Sequence, residues 1–233
     1  MPVWGGKRSR ARRPALDRTL GSRMEERAVR GPHTGARHLF TKARGAKFKS
    51  STTTLAQVRK YHRVYVGPNF DLVEETKRLH SQQGKPVVIL EWGTGNTRAL
   101  SELARETRGM TRCIGYGRDS YRTWKNNRLV ETIQRPHEQL SRFFKEKSVG
   151  IIFSHHGLQH LLTQSGVEPF SQYVGKLVTK LQEGGVFVSY PVRKMRDPDL
   201  EKKLQQTITQ SLRGKGTFDV RVEFNTILIR RAQ

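Results

Sequence analysis

The stretch "VVILEWGTGNTRAL", Val87 to Leu100, decides the fold. Four apolar, mostly β-branched residues lead into Glu91. Gly93 and Gly95 follow with one residue between them, and then helix formers begin. A continuous apolar run of this length, ended by glycines, reads as a buried strand. The order strand, glycine turn, helix brings backbone close to a ligand and aims the first amides of a helix at it.

Outward from this stretch the pattern alternates. Before it, "NFDLVEETKRLHSQQGKP" reads as a helix capped by Asp71, with Glu74 three residues on in a box-like pattern. Gly84 suits the C-terminal position of that helix and Pro86 stops it. After it, a helix is expected over 97–108 with Ala99, Leu100, Leu103 and Ala104 on one face, ended by Gly109. Strands are expected at 111–116, 129–134, 149–154 and 186–190. Helical stretches are expected at 119–127, 135–147 (bearing Leu140, Phe143 and Phe144), 169–182 and 199–212. The end, "FDVRVEFNTILIRRAQ", reads as two short strands turning at Asn225–Thr226. Strands alternating with helices imply an α/β fold, a mostly parallel sheet covered on both faces, with a terminal antiparallel hairpin. In such sheets a ligand sits beyond the carboxyl ends of the strands, where Glu91 to Asn96 fall.

Charge raises a separate question. The 233 residues carry 44 Lys and Arg against 20 Asp and Glu, a formal net charge of +24. The isoelectric point of 10.9 lies in the range of nucleic-acid-binding chains. One cysteine, Cys113, excludes an internal disulfide framework and a cysteine-based zinc site. No apolar run is long enough to span a bilayer, and no membrane partner is expected. The basic start lacks the apolar segment of a secretory signal.

Residues 1–50 hold ten Arg, four Lys and only three acids, Asp17, Glu25 and Glu26. Such a segment has too little apolar area to offset the entropy of ordering and is expected to be disordered alone. A solvated tail is one reading; a mitochondrial address, interrupted by Glu25–Glu26, is another. The third is an arm that follows a polyanion, with Arg8, Arg10, Arg12, Arg13, Arg37, Arg44, Lys47 and Lys49 contacting phosphates. Residues 51–68 interleave bases and aromatics: Arg59, Lys60, Tyr61 and Arg63 suit RNA contact and base stacking. The competing reading is an amphipathic connector that packs Val58, Val64 and Val66 on the domain. The division is therefore an arm at 1–68 and a folded domain at 69–233.

Together "VVILEWGTGN", "CIGYGRDS", "VGIIFSHHGLQHL" and "KLVTKLQEGGVFVSYPV" resemble the class I S-adenosylmethionine-dependent methyltransferases over about residues 70–233. The resemblance implies a Rossmann-like seven-stranded sheet ending in an antiparallel hairpin, preceded here by the basic arm. It implies that Glu91, Gly93, Gly95 and Asn96 line the methionine end of S-adenosylmethionine. The family's second strand normally ends in an acid that holds both ribose hydroxyls. The matching position here is Gly117, and Asp119, two residues on, reaches the ribose only if the chain turns back. If the pocket is otherwise intact, Gly117→Asp is expected to restore affinity. The acid that often opens the fourth strand is replaced by Gly150, and "ETIQRPHEQL" offers no match to the adenine-contacting acid. For chemistry, His155 or His156 stands where a general base could act. Cys113, inside a strand, is poorly placed as a nucleophile, and His155, His156 and His160 lack the acid or thiolate partners of a usual metal site.

Two functions follow from these residues. One is a non-catalytic, methyltransferase-like RNA-binding protein, a structural component or assembly factor of a ribosome. Its partners would be rRNA and neighbouring ribosomal or assembly proteins, in the mitochondrion or otherwise the cytoplasm. The alternative is an active S-adenosylmethionine-dependent rRNA methyltransferase.

Overall fold

A computed structural model of the chain describes residues 53–118, 122–140, 142–192 and 197–233. Arg8, Arg10, Arg12, Arg13, Arg37, Arg44, Lys47, Lys49 and Asp119 therefore lie outside the described residues.

Val87 to Trp92 form an interior strand of the sheet. β1 (Val87–Trp92) lies between β2 (Thr111–Gly117) and β4 (Val149–His155), parallel to both. β3 (Val130–Gln134) pairs parallel with β2, and β5 (Leu181–Tyr190) parallel with β4. β6 (Phe218–Glu223) and β7 (Thr226–Arg231) form the terminal hairpin, and β7 pairs antiparallel with β5. The seven strands run in the order β3-β2-β1-β4-β5-β7-β6.

Both faces of the sheet are buried, as continuous apolar strands require. On one face Val87, Ile89, Cys113, Ile151, Phe153, Val186 and Val188 share a core with three helices. These are α1 (Leu55–Tyr65), α2 (Leu72–Gln83) and α3 (Arg98–Glu106). The alternate residues Leu90, Ile114, Ile152 and Phe187 are buried as well. After β3 comes α4 (His137–Leu140), a single turn. Then come α5 (Leu158–Ser165), α6 (Val167–Val178) and α7 (Pro198–Ser211). α6 packs on α7 and both α5 and α6 reach β5.

α2 follows its caps. Asp71 accepts from the amides of Val73 and Glu74, and Gly84 takes the left-handed conformation that closes the helix. The expected capping box does not form, because Glu74 pairs with Lys77 instead (2.8 Å). Buried Glu75 joins this helix to the last strand through Arg230, and to Arg78 at 2.9 Å.

Several boundaries differ from the sequence reading. α1 lies inside the stretch assigned to the arm: Leu55 and Val58, one turn apart, are buried in the domain core. The connector reading holds for Val58 and partly for Val66, but Val64 is 62% exposed. β5 begins at Leu181, five residues earlier than expected, so Leu181 belongs to strand and not to the preceding helix. Between β2 and β3 the only helical element among the described residues is a 3-10 turn, Arg122–Asn126. The expected helix at 135–147 is reduced to α4, and Phe143 is half exposed.

Candidate cofactor site

At the carboxyl end of β1 the chain turns under its own hydrogen bonds. The amides of Gly93 and Thr94 both donate to the Tyr116 carbonyl (2.9 and 2.8 Å), tying the turn to β2. Glu91 is buried and accepts from the Thr94 hydroxyl at 2.6 Å. Burial pushes its carboxyl up to about 7, against the smaller opposing effect of that hydroxyl.

Gly93 has φ +79, and a Cβ there would lie 2.9 Å from Cα of Gly157. A Cβ on Gly157 would in turn meet the Trp92 carbonyl oxygen at 2.8 Å. The turns after β1 and β4 are therefore in backbone contact. Gly93→Ala is expected to lower unfolding free energy by about 3 kcal/mol, because positive-φ strain adds to a clash that backbone cannot relieve. Urea unfolding checks this; a loss within about 0.5 kcal/mol, ordinary for a surface change, would refute the contact.

Gly95 and Gly117 are both buried, and one side chain covers them. Trp124, on the 3-10 turn, donates from Nε1 to the Gly95 carbonyl at 2.7 Å. Its Cη2 and Cζ2 atoms lie 3.0 and 3.2 Å from where a Gly117 Cβ would be. The Thr94 carbonyl oxygen stands 3.2 Å from the same point. Gly117→Asp thus has no room while the indole is in place, which corrects the expectation that this single change tests the pocket. Gly150 is closed in the same way, since an added Cβ would meet Val87 Cγ1 at 2.3 Å.

Asn96 is turned to local work. Its Oδ1 accepts from the Arg98 amide at the start of α3. Asn127 bridges Thr97 Oγ1 and Ser101 Oγ from across the 3-10 turn (2.7 and 2.8 Å).

The end of β4 is covered by aromatics. Tyr61 and Tyr65 of α1 stack on Tyr190 of β5, with centroids 5.4 and 4.1 Å away, and Tyr61 lies 4.9 Å from the His155 ring. His155 touches Thr53 Oγ1 through Nδ1 (3.3 Å), while its buried Nε2 has no hydrogen-bond partner. Burial first, then His156 and His62, push its pKa down to about 3. A neutral imidazole with so little affinity for a proton is a poor general base, which argues against that role for His155. His156 is more open, but burial and His160 lower it too. Cys113 is buried, and desolvation lifts its thiol to about 11, against nucleophilic use. Among the described residues no three His, Cys, Asp or Glu side chains gather to hold a metal.

The α1 residues expected to meet RNA are placed differently from one another. Arg59 binds Asp71 and Glu106 (2.7 and 3.0 Å), and Arg63 lies 3.6 Å from Asp71. Tyr61 is in the aromatic stack, and Lys60 is exposed. Trp124 was missed in the sequence, where its only signal is a large aromatic among charged and polar neighbours, "RDSYRTWKNNR".

The strand order, the antiparallel β7 and the glycine turn after β1 define a class I methyltransferase-like fold. The chain aligns with several solved structures. WbdD in its monomeric form aligns at TM-score 0.50 and 13% identity, over 69% of this chain and 40% of that one. The antibiotic-resistance methyltransferase Kmr aligns at TM-score 0.48 and 16% identity, over 68% and 93%. A Burkholderia thailandensis 1,6-didemethyltoxoflavin-N1-methyltransferase, solved with S-adenosylhomocysteine, aligns at TM-score 0.43 and 16% identity, over 69% and 77%. No protein-family model and no curated protein sequence matches the chain.

Proposed function

We propose that this chain is a non-catalytic, methyltransferase-like RNA-binding protein, a structural component or assembly factor of a ribosome, most simply a mitochondrial one. The observation that carries this reading is Trp124. Its indole lies against Gly117 and Gly95, where the fold would seat the ribose of S-adenosylmethionine, and no carboxylate stands at 117 to hold the hydroxyls. The low proton affinity of His155 supports it from the side of the chemistry. The formal charge of +24 and the arginine-rich residues 1–50 supply the RNA binding.

The alternative, an active S-adenosylmethionine-dependent rRNA methyltransferase, is favoured by one observation. Glu91, where the resemblance places the methionine end, is kept buried on Thr94. In that case Glu91, Gly93, Gly95 and Asn96 would hold the cofactor, which would supply the methyl group.

Two titrations of the full chain test the reading. Calorimetry with S-adenosylmethionine is expected to show no saturable heat, and structured rRNA is expected to bind with a steep dependence on salt. Each phosphate contact adds about 0.7–0.9 to the log–log slope, so deleting residues 1–50 should flatten it by several contacts' worth. A low-micromolar dissociation constant for S-adenosylmethionine, abolished by Glu91→Ala, would promote the enzyme instead. An unchanged slope after the deletion would remove the arm as the binding element.

A further inference from the structure

At the end of the sheet opposite the glycine turn, β4 and β5 begin and β7 ends. A cavity of about 610 Å³ opens there between the lead into β4, the end of α6, the loop after α7 and the end of β7. Its charged lining is Lys147, Lys176, Lys180, Lys215 and Arg231, with Glu146 as the one carboxylate. We infer that this groove binds the phosphodiester backbone of RNA and is a second RNA contact, built into the folded domain and independent of the arm. The inference rests on the RNA-binding reading above and deepens it.

A simpler cause accounts for part of the charge. The carbonyls at a helix C-terminus attract cations. Arg231 is held partly this way, donating to the Thr179 carbonyl at the end of α6 (3.3 Å) and to the Leu181 carbonyl of β5 (2.9 Å), and it lies 5.3 Å over Phe218. Lys180, mostly buried, leans toward Glu146 at 3.8 Å. The other three are not explained so. Lys147 shares a 3.3 Å contact with Glu183, both more than half exposed, which is worth little. Lys176 and Lys215 are exposed and have no ion-pair partner among the described residues. Cations gathered round one cavity repel each other unless an anion joins them.

The shape of the site selects the anion. Its lining holds the C-terminal end of α6, Lys176 and Thr179, and no helix N-terminus, which disfavours a small phosphate seated deep. Lysines are flexible point charges from separate segments, suited to successive phosphates passing along the rim.

The test replaces the exposed lysines: Lys147→Gln, Lys176→Gln and Lys215→Gln together in the full chain. The control removes equal charge from exposed positions elsewhere, Lys85→Gln, Arg105→Gln and Arg108→Gln. Structured RNA is titrated across salt, with thermal unfolding to show that each variant folds. The groove variant is expected to lose about two units of log–log slope and about tenfold or more in affinity, and the control roughly twofold in affinity. Inorganic phosphate and polyglutamate are titrated in parallel. Unchanged RNA binding by the groove variant overturns the proposal, whether or not it has lost phosphate or polyglutamate binding. Loss of slope on arm deletion alone sinks the groove and leaves the RNA-binding reading standing; no RNA binding by the parent chain sinks both.

Discussion

Trp124→Ala is expected to destabilise the domain by about 3 kcal/mol, the lower end for deleting a buried aromatic side chain. The indole is 8% exposed, donates to Gly95 and covers Gly117, so its removal leaves a cavity and an unpaired buried carbonyl. In the reading proposed above, that cavity lies where the ribose of S-adenosylmethionine would sit. Clearing it is not enough to bind S-adenosylmethionine at micromolar concentration, because position 117 still lacks an acceptor for the ribose hydroxyls. Adding Gly117→Asp to Trp124→Ala supplies one. A charge-assisted hydrogen bond is worth about 1.5–3 kcal/mol, so the double variant should bind at least about tenfold more tightly than Trp124→Ala alone. Gly117→Asp by itself should gain nothing and cost stability, since its Cβ would stand 3.0 Å from the indole. Calorimetry and urea unfolding on the four proteins separate these terms. Tight binding by Gly117→Asp alone would show that Trp124 does not close the site.

The second large effect is on stability against pH. Burial raises Glu91 to about 7 from an ordinary value of 4.5. Between those values the folded chain keeps a proton that the unfolded chain has released, so stability falls as pH rises through the window. Above about pH 7 the whole cost is present, about 3 kcal/mol from a shift of some two and a half units. Two histidines act in the opposite sense. Burial depresses His62 to about 4 and His155 to about 3, so each withdraws stability as pH falls below 6.5. Wild-type stability between pH 4.5 and 6.5 is thus a balance, and only a difference measurement isolates Glu91. Glu91→Gln keeps an acceptor for Thr94 and removes the titration. Its stability relative to wild type should rise by about 2.5 kcal/mol between pH 5 and pH 8, part of the cost being already present at pH 5. A flat difference would mean that Glu91 is ionised throughout and that the site admits water.

The order of elements could be read from the chain because it is written in local terms. β1 is a buried apolar run before glycines, α2 carries its own caps in Asp71 and Gly84, and the hairpin turns where alternation breaks at Asn225. Those signals depend on neighbours in sequence. The ends were less legible, as at β5, which already pairs with β4 at Leu181, before the paired glycines. Gly184 (φ +70) bends the chain and the pairing with β4 shifts register across the glycines, so the turn read there falls inside β5.

What the sequence determined by itself was the fold, its order, and the absence of a carboxylate at 117. What only the tertiary structure decided was whether the space beside that glycine is open. Trp124 reaches Gly95 across 29 positions, Gly93 touches Gly157, and α1 brings Tyr61 and Tyr65 onto Tyr190. No local pattern marks these contacts, since each joins segments far apart in the chain that meet at the carboxyl ends of the strands. The same reason governs the groove at the other end of the sheet: its lysines come from segments far apart in the chain, gathered where β4 and β5 begin and β7 ends.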